Sequence, residues 1–112
     1  MKFKHLLMLI VCAALIASVA AAIENSGSAQ IDISASRGTV SFPHHQHQES
    51  LKDCNVCHTL FPQETGALAK LKSGGQLKPK QVMNKLCINC HRAEKKAGKA
   101  SGPTICSQCH SR

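Results

Sequence analysis

Aromatic and large apolar residues are scarce in this chain of 112 residues, which has no Trp, no Tyr and three Phe. Beyond the first 22 residues, only 17 apolar side chains larger than Ala remain besides six Cys. So few large apolar groups cannot build a sizeable hydrophobic core. This scarcity argues against a self-supporting enzyme with a deep pocket. Disulfides, metals or a bulky cofactor must therefore hold the fold together.

Long apolar runs are also rare, and the one that is present lies near the start of the chain. Lys2 and Lys4 precede the mostly apolar residues 6–17, and small residues follow. A charged start, an apolar stretch and a small-x-small site are typical of a secretory signal peptide. We therefore predict a signal peptide over residues 1–22 and an exported domain over residues 23–112. An uncleaved membrane anchor is the alternative. A transmembrane helix needs about 20 apolar residues, however, and this run is shorter.

Every cysteine after the leader belongs to a C-x-x-C pair, and a His directly follows each pair; the seventh, Cys12, is an apolar residue of the leader. C-x-x-C-H is the attachment signature of c-type haem, in which two thiols bind the porphyrin and the His ligates iron. Three disulfides would give no reason for the His residues, and zinc knuckles would leave one pair over. We predict three covalent haems, attached at Cys54, Cys57, Cys87, Cys90, Cys106 and Cys109, with iron ligation by His58, His91 and His110.

Three six-coordinate irons need three further ligands, and the remaining histidines after the leader are His44, His45 and His47. They lie together upstream of the first motif, which favours a segment threaded between haems. The alternatives are a His-rich metal-binding tract or solvated side chains.

The element Phe42-x-His44-x-x-His47, followed by three C-x-x-C-H motifs and by Gly102-Pro103 before the last motif, resembles the small periplasmic triheme cytochromes of the cytochrome c7 family. The resemblance implies a small, irregular, mostly α fold with a short N-terminal β-hairpin, organised around three covalent haems. It also implies that His44 pairs with His58 on the first iron and that His47 pairs with His91 on the second.

The chain departs from the usual family pattern at the third haem. The family usually has a His four residues before the second motif, where this chain has Met83. A thioether is a good ligand for haem iron. We therefore predict that Met83 pairs with His110 on the third iron, as in a subset of the family with one His/Met-ligated haem. The alternative is that Met83 fills the interior and that His45 or water binds this iron.

The local pattern predicts few regular elements. Residues 31–34 and 40–42 alternate apolar and polar side chains around Arg37-Gly38, which predicts a hairpin. A lone hairpin is marginally stable, so we expect it to lean on a haem through Phe42, or Phe42 to be an ordinary core residue of the hairpin. Residues 63–73 have helical spacing and end at Gly74-Gly75. We expect a second helix from near Pro79 through Met83 into Cys87, a loop over residues 98–103, and each haem motif on a short helical turn.

Charge is one-sided, with 14 Lys and Arg against six Asp and Glu. The basic residues either solubilise the surface and balance haem propionates or form a docking rim for acidic redox partners. Nucleic acid is a poor candidate partner, because the chain is exported and lacks aromatic residues for stacking bases.

Iron with two protein ligands has no open position for a substrate, so the motifs favour an electron carrier over an enzyme. The resemblance implies a periplasmic monomer that relays electrons from inner-membrane donors to terminal or outer-membrane acceptors in anaerobic, metal-dependent respiration. Its partners would be periplasmic or membrane cytochromes, or soluble metal ions. The alternatives are a small haem reductase that acts directly on soluble metal ions and, less favoured, a sensor or electron-storage module.

Overall fold

The computed structural model describes residues 26–111. A three-stranded antiparallel sheet in the order β1-β2-β3 joins the two ends of this region. The strands are β1 (Ile31–Ile33), β2 (Thr39–Phe42) and β3 (His110–Ser111). In the β1-β2 hairpin, Ile31 lies opposite Phe42, which confirms the predicted hairpin. β3 was not predicted, and it pairs His110 with Val40.

The hairpin turns at a glycine. Gly38 has φ of 112°, a backbone conformation that L side chains rarely adopt, and its N–H donates to the Ala35 carbonyl at 3.1 Å. The arrangement explains why the chain reverses at the predicted Arg37-Gly38 turn.

Short helices make up the rest of the fold, in agreement with the predicted mostly α class. They are α1 (His44–Leu51), α2 (Asn55–His58), α3 (Ala67–Ser73), a π-helical turn (Met83–Cys87), α4 (Ile88–Lys96) and α5 (Cys106–Cys109). Residues 98–103 contain no regular element, as predicted. Each C-x-x-C-H motif lies on a helix or at its edge, which confirms the prediction of helical turns.

Two helix predictions differ from the structure at their N-terminal ends. The helix expected from residue 63 begins at Ala67, because Gly66 has φ of 75° and no α-helix continues through that conformation. The helix expected near Pro79 begins at Gln81, because Lys80 has φ of 63°. From Gln81 the helical backbone continues through the π-helical turn into α4.

Apolar packing contributes little to this fold. Among residues 26–111, the buried apolar residues are Ala67 and Leu77, each 5% exposed. The N–H groups of Gln76 and Leu77 both donate to the Leu71 carbonyl, at 2.9 and 3.1 Å, and so fold the chain back over the end of α3. Both buried residues lie between the first and second motifs in sequence.

Within residues 26–111, no helix has the length and apolar character that crossing a membrane requires. The predicted signal peptide over residues 1–22, with Cys12, lies outside the described residues.

Candidate functional site

The three upstream histidines lie together at the start of α1. The helix begins at His44, directly after Pro43, and all three side chains are half-buried. Residues three apart on a helix are neighbours on its surface, so His44 and His47 share a face. The expected threaded segment is therefore a helix, and its shared face lies toward two of the motif histidines.

His44 lies next to the histidine of the first motif. The ring centroids of His44 and His58 are 6.4 Å apart, and the ring planes are nearly perpendicular at 82°. His58 is the last residue of α2.

His47 lies next to the histidine of the second motif in the same way. The ring centroids of His47 and His91 are 6.1 Å apart, and the planes make an angle of 31°. Both pairs predicted from the family resemblance are therefore brought together, across segments far apart in sequence.

These separations suit a metal ion between the rings. A bond from imidazole nitrogen to a metal is about 2 Å long, so two rings that bind one ion from opposite sides have centroids about 6 Å apart. A face-to-face stack would bring the rings closer together, whereas an edge-to-face ring pair covers the same range of separations. The residues present are compatible with an iron between the rings of each pair.

Backbone carbonyls set the protonation of the ring nitrogens. A carbonyl only accepts, so the ring nitrogen bonded to it carries the proton, and the other nitrogen keeps its lone pair for a metal. Five histidines use Nδ1 for this bond, which leaves Nε2 available. The pairs are His44 with Ser28 (3.1 Å), His47 with Pro43 (2.9 Å), His58 with Phe61 (3.2 Å), His91 with Pro103 (2.7 Å) and His110 with Gly38 (3.1 Å).

His45 uses its other ring nitrogen, Nε2, for the bond to a carbonyl. Its Nε2 donates to the Gly27 carbonyl at 3.0 Å. The outer nitrogen of this ring, which reaches furthest from the helix, is therefore occupied by the main chain. The bond argues against His45 as an iron ligand.

Two phenylalanines pack against ligand candidates. Phe42 lies 4.3 Å from His47 between ring centroids, and Phe61 meets His58 edge-on at 5.0 Å. These contacts restrict the rotation of both imidazoles. The role of Phe61 was not predicted, because only its place in the fold reveals it.

No disulfide joins the six motif cysteines, so all six sulfurs are available for thioether bonds to haem. Burial raises the pKa of Cys87, and the neighbouring thiol of Cys57 raises it further. Burial also raises the pKa of Cys57, with Cys90 adding to the effect, and burial followed by Cys106 raises that of Cys109. The thiols of Cys57 and Cys109 both raise the pKa of Cys87, so cysteines of all three motifs lie near one another.

The third motif has no imidazole opposite its histidine. None of the ring contacts found among residues 26–111 involves His110, which lies in β3 against the hairpin turn. Met83 is half-buried and is the first residue of the π-helical turn that ends at Cys87. π-Helical turns occur frequently at functional sites. Among the described residues, no three His, Cys, Asp or Glu side chains converge as a site for a bare metal ion.

A sequence profile described as "Cytochrome c7 and related cytochrome c" matches residues 40–111, which is more than half of the chain. The chain belongs to the cytochrome c7 family. It is 33% identical over 100 residues to a cytochrome c7 from Geobacter metallireducens, covering 86% of this chain and 94% of that protein.

Solved structures of cytochromes c7 share the fold. The triheme cytochrome PpcA of Geobacter sulfurreducens matches with a TM-score of 0.55 and 29% identity, over 76% of this chain and all of that one. PpcC, a cytochrome c7 from the same organism, matches with a TM-score of 0.54 and 27% identity, over 76% of this chain and 99% of its own. As a cytochrome c7, this protein binds three c-type haems and carries electrons rather than acting as an enzyme.

Sequence reasoning missed the residues that hold the imidazoles in place. The carbonyls of Ser28, Gly38, Phe61 and Pro103 are main-chain groups and have no residue-type signature. Gly102, noted in the sequence only as a shared family feature, lies directly against the His91 ring.

Proposed function

We propose that this cytochrome c7 is a periplasmic carrier in anaerobic, metal-dependent respiration, which takes electrons from inner-membrane donors and delivers them to terminal or outer-membrane acceptors. The similarity to cytochromes c7 from Geobacter species supports the respiratory context. The predicted signal peptide over residues 1–22 supports export. Covalent attachment of haem c requires the same export.

The proposal assigns each haem to one motif. Haem would be attached through Cys54 and Cys57, through Cys87 and Cys90, and through Cys106 and Cys109. The axial pairs would be His44 with His58, His47 with His91, and Met83 with His110. The observation that carries the proposal is the pair of imidazole separations, 6.4 and 6.1 Å, both close to the distance expected across one iron.

Bound haem c supplies one-electron chemistry, because its iron cycles between the ferric and ferrous states. The residues of the chain determine how that chemistry is used. His44 with His58 would hold one haem and His47 with His91 another, and these two haems would then have no free ligand position for a substrate. The Nδ1–carbonyl bonds place the proton of each neutral ring on Nδ1, turn Nε2 toward a metal and hold the rings fixed, which limits rearrangement during electron transfer.

Substitutions at neighbouring positions of α1 test the ligand set. His47→Asn should produce one high-spin haem out of three, because it removes an axial ligand and leaves His91 alone on its iron. His45→Asn is the matched control, and it should leave all three haems low-spin. Ferric EPR and haem stoichiometry by mass measure both outcomes. A high-spin signal from His45→Asn, or none from His47→Asn, would contradict the assignment.

Cell fractionation tests the location. The full chain should yield a holoprotein with three haems in the periplasmic fraction, and a chain without residues 1–22 should yield haem-free protein in the cytoplasm. Attachment of haem to the shortened chain would rule out export as the route to maturation.

Lysines supply a surface on which acidic redox partners could dock. Exposed basic residues lie on α3 and its following loop, and a second group lies at the end of α4. Some of these have local roles, since Lys72 Nζ donates to the Ser34 carbonyl at 3.0 Å and Lys99 lies 3.7 Å from Glu94. The remaining positive charge favours docking with proteins of opposite charge.

A further inference from the structure

Gly102 lies so close to His91 that no side chain fits there. A Cβ on Gly102 would overlap the imidazole at Cε1 and Nε2 and would lie 2.8 Å from Nδ1. These separations are shorter than real Cβ contacts allow. The main chain at Gly102 therefore lies directly against the His91 ring.

The need for glycine at this position is steric and not conformational. Among the described glycines, the ones with positive φ are Gly27, Gly38, Gly66, Gly75 and Gly98. Gly102 is absent from that group, so an L side chain could adopt its backbone conformation. What excludes a side chain at this position is the His91 ring.

The neighbouring residue bonds to the same ring. The Pro103 carbonyl accepts a hydrogen bond from His91 Nδ1 at 2.7 Å, the shortest of the five such bonds to histidine. Gly102 and Pro103 thus contact one imidazole in two ways, by van der Waals contact and by hydrogen bonding. The ring can neither rotate nor withdraw without breaking one of the two contacts.

We propose that Gly102 is a positioning residue that fixes the His91 imidazole against the Pro103 carbonyl and so lowers the reduction potential of the second haem. This inference rests on the proposed function, in which His91 ligates that haem. A strong Nδ1–H···O=C bond makes the imidazole a more basic ligand. A more basic ligand stabilises ferric iron relative to ferrous iron, and the potential falls.

The test is Gly102→Ala in the holoprotein. The new methyl group should push the ring away from the Pro103 carbonyl and weaken the hydrogen bond. One of the three midpoint potentials should rise, and the other two should stay unchanged. One low-spin ferric EPR signal should also change, because that signal depends on the angle between the axial imidazole planes, which is 31° for His47 and His91.

Gly74→Ala is the matched control. Gly74 also has negative φ, −79°, and the nearest atom to its added Cβ would be the Lys70 carbonyl oxygen at 3.3 Å, remote from any proposed ligand. All three potentials and all EPR signals should match those of the unaltered protein. Unchanged potentials in Gly102→Ala, with three low-spin haems still attached, would overturn the inference and leave the proposed function intact.

NMR of the unaltered, reduced protein provides a second test, which does not require that a variant acquires its haems. Cross-relaxation should connect the α protons of Gly102 with the ring protons of His91. Its absence in a protein with three low-spin haems would overturn the inference. Fewer than three haems, or a second haem without His91 as ligand, would instead contradict the proposed function.

Discussion

His45 differs from the other histidines of the described chain in the ring nitrogen that bonds to a main-chain carbonyl. His45 donates from Nε2, and its neighbour His44 is bonded through Nδ1. Two adjacent residues of the same type thus differ in the nitrogen that they leave for a metal. The choice is made by carbonyls of residues 27 and 28, which lie more than 15 positions away in sequence. At the residue scale, the main chain thus determines which ring nitrogen each of the two histidines leaves available.

Met83 offers the clearest single-residue prediction. A thioether ligand favours ferrous iron, so a haem with His/Met ligation has a higher potential than one with two histidines. Met83→His should therefore lower one of the three midpoint potentials and leave the other two unchanged. Potentiometric titration with spectroscopic detection measures the potentials. The weak far-red absorption band typical of Met–iron ligation should disappear in the same variant.

The same titration can refute the assignment. Three unchanged midpoints in Met83→His would mean that residue 83 does not bind iron. Met83→Leu is the matched control, since it keeps the apolar volume and removes the sulfur. It should convert one haem to a five-coordinate state, whereas a residue that only fills space would tolerate the exchange.

Covalent chemistry made much of the site predictable from sequence. The motif residues, such as Cys54, Cys57 and His58, must be adjacent to reach one porphyrin, so their spacing is visible in the chain itself. The pairing of His44 with His58 was predicted from family resemblance, and the structure brings the two rings together. The Pro103 and Gly38 carbonyls were not predictable, because any residue type supplies a carbonyl and these lie 12 and 72 positions from their histidines.

At the scale of elements, the least predictable feature is the π-helical turn over Met83–Cys87. The pattern indicated a helix through these residues but not the wider hydrogen bond, in which the Ile88 N–H reaches the Met83 carbonyl. β3 was missed for a related reason. Two residues carry no alternating pattern, and their pairing with Thr39 and Val40 depends on chain segments about 70 residues apart. The hairpin was predictable because its turn and both strands are local.

Helix α3 and its following loop contain the two buried apolar residues of the described region, Ala67 and Leu77. Leu77→Ala should lower the free energy of unfolding by about 2–3 kcal/mol, because truncating a buried Leu loses its contacts and leaves a cavity. Thermal unfolding followed by circular dichroism measures the change. Haem content and midpoint potentials should stay the same, since α3 and its following loop contain no proposed haem ligand.

Lys70→Ala is the control for this element. Lys70 is exposed on the same helix, and Ala is at least as good a helix former, so the expected change is within about 0.5 kcal/mol. An equal loss of stability in both variants would mean that helix formation, and not burial of Leu77, determines the result.

The whole molecule combines a basic chain with acidic cofactors. The full sequence has a net charge of +8, and loss of Lys2 and Lys4 with the leader would leave +6. Three haems bring six propionates, or about −6 when all are ionised. The holoprotein is then close to neutral overall, with positive charge on the lysine-bearing surfaces and negative charge at the haem edges. Such a distribution orients a partner without repelling it at long range.

Folding of the whole chain should depend on the three haems. With Ala67 and Leu77 as the buried apolar residues of the described region, protein packing alone offers little free energy against the conformational entropy of the chain. Each porphyrin adds two large apolar faces, and burial contributes roughly 25 cal/mol per Å². The axial pairs and thioethers would also tie together segments up to 44 residues apart, as His47 and His91 are. Replacing all six motif cysteines by Ala should therefore give a chain with no cooperative thermal transition in circular dichroism.

Cys12→Ala is the control for this prediction. It removes a cysteine outside the motifs, and it should leave the transition and the haem content unchanged. A haem-free chain that melts cooperatively would show that the polypeptide has a sufficient core without its cofactors.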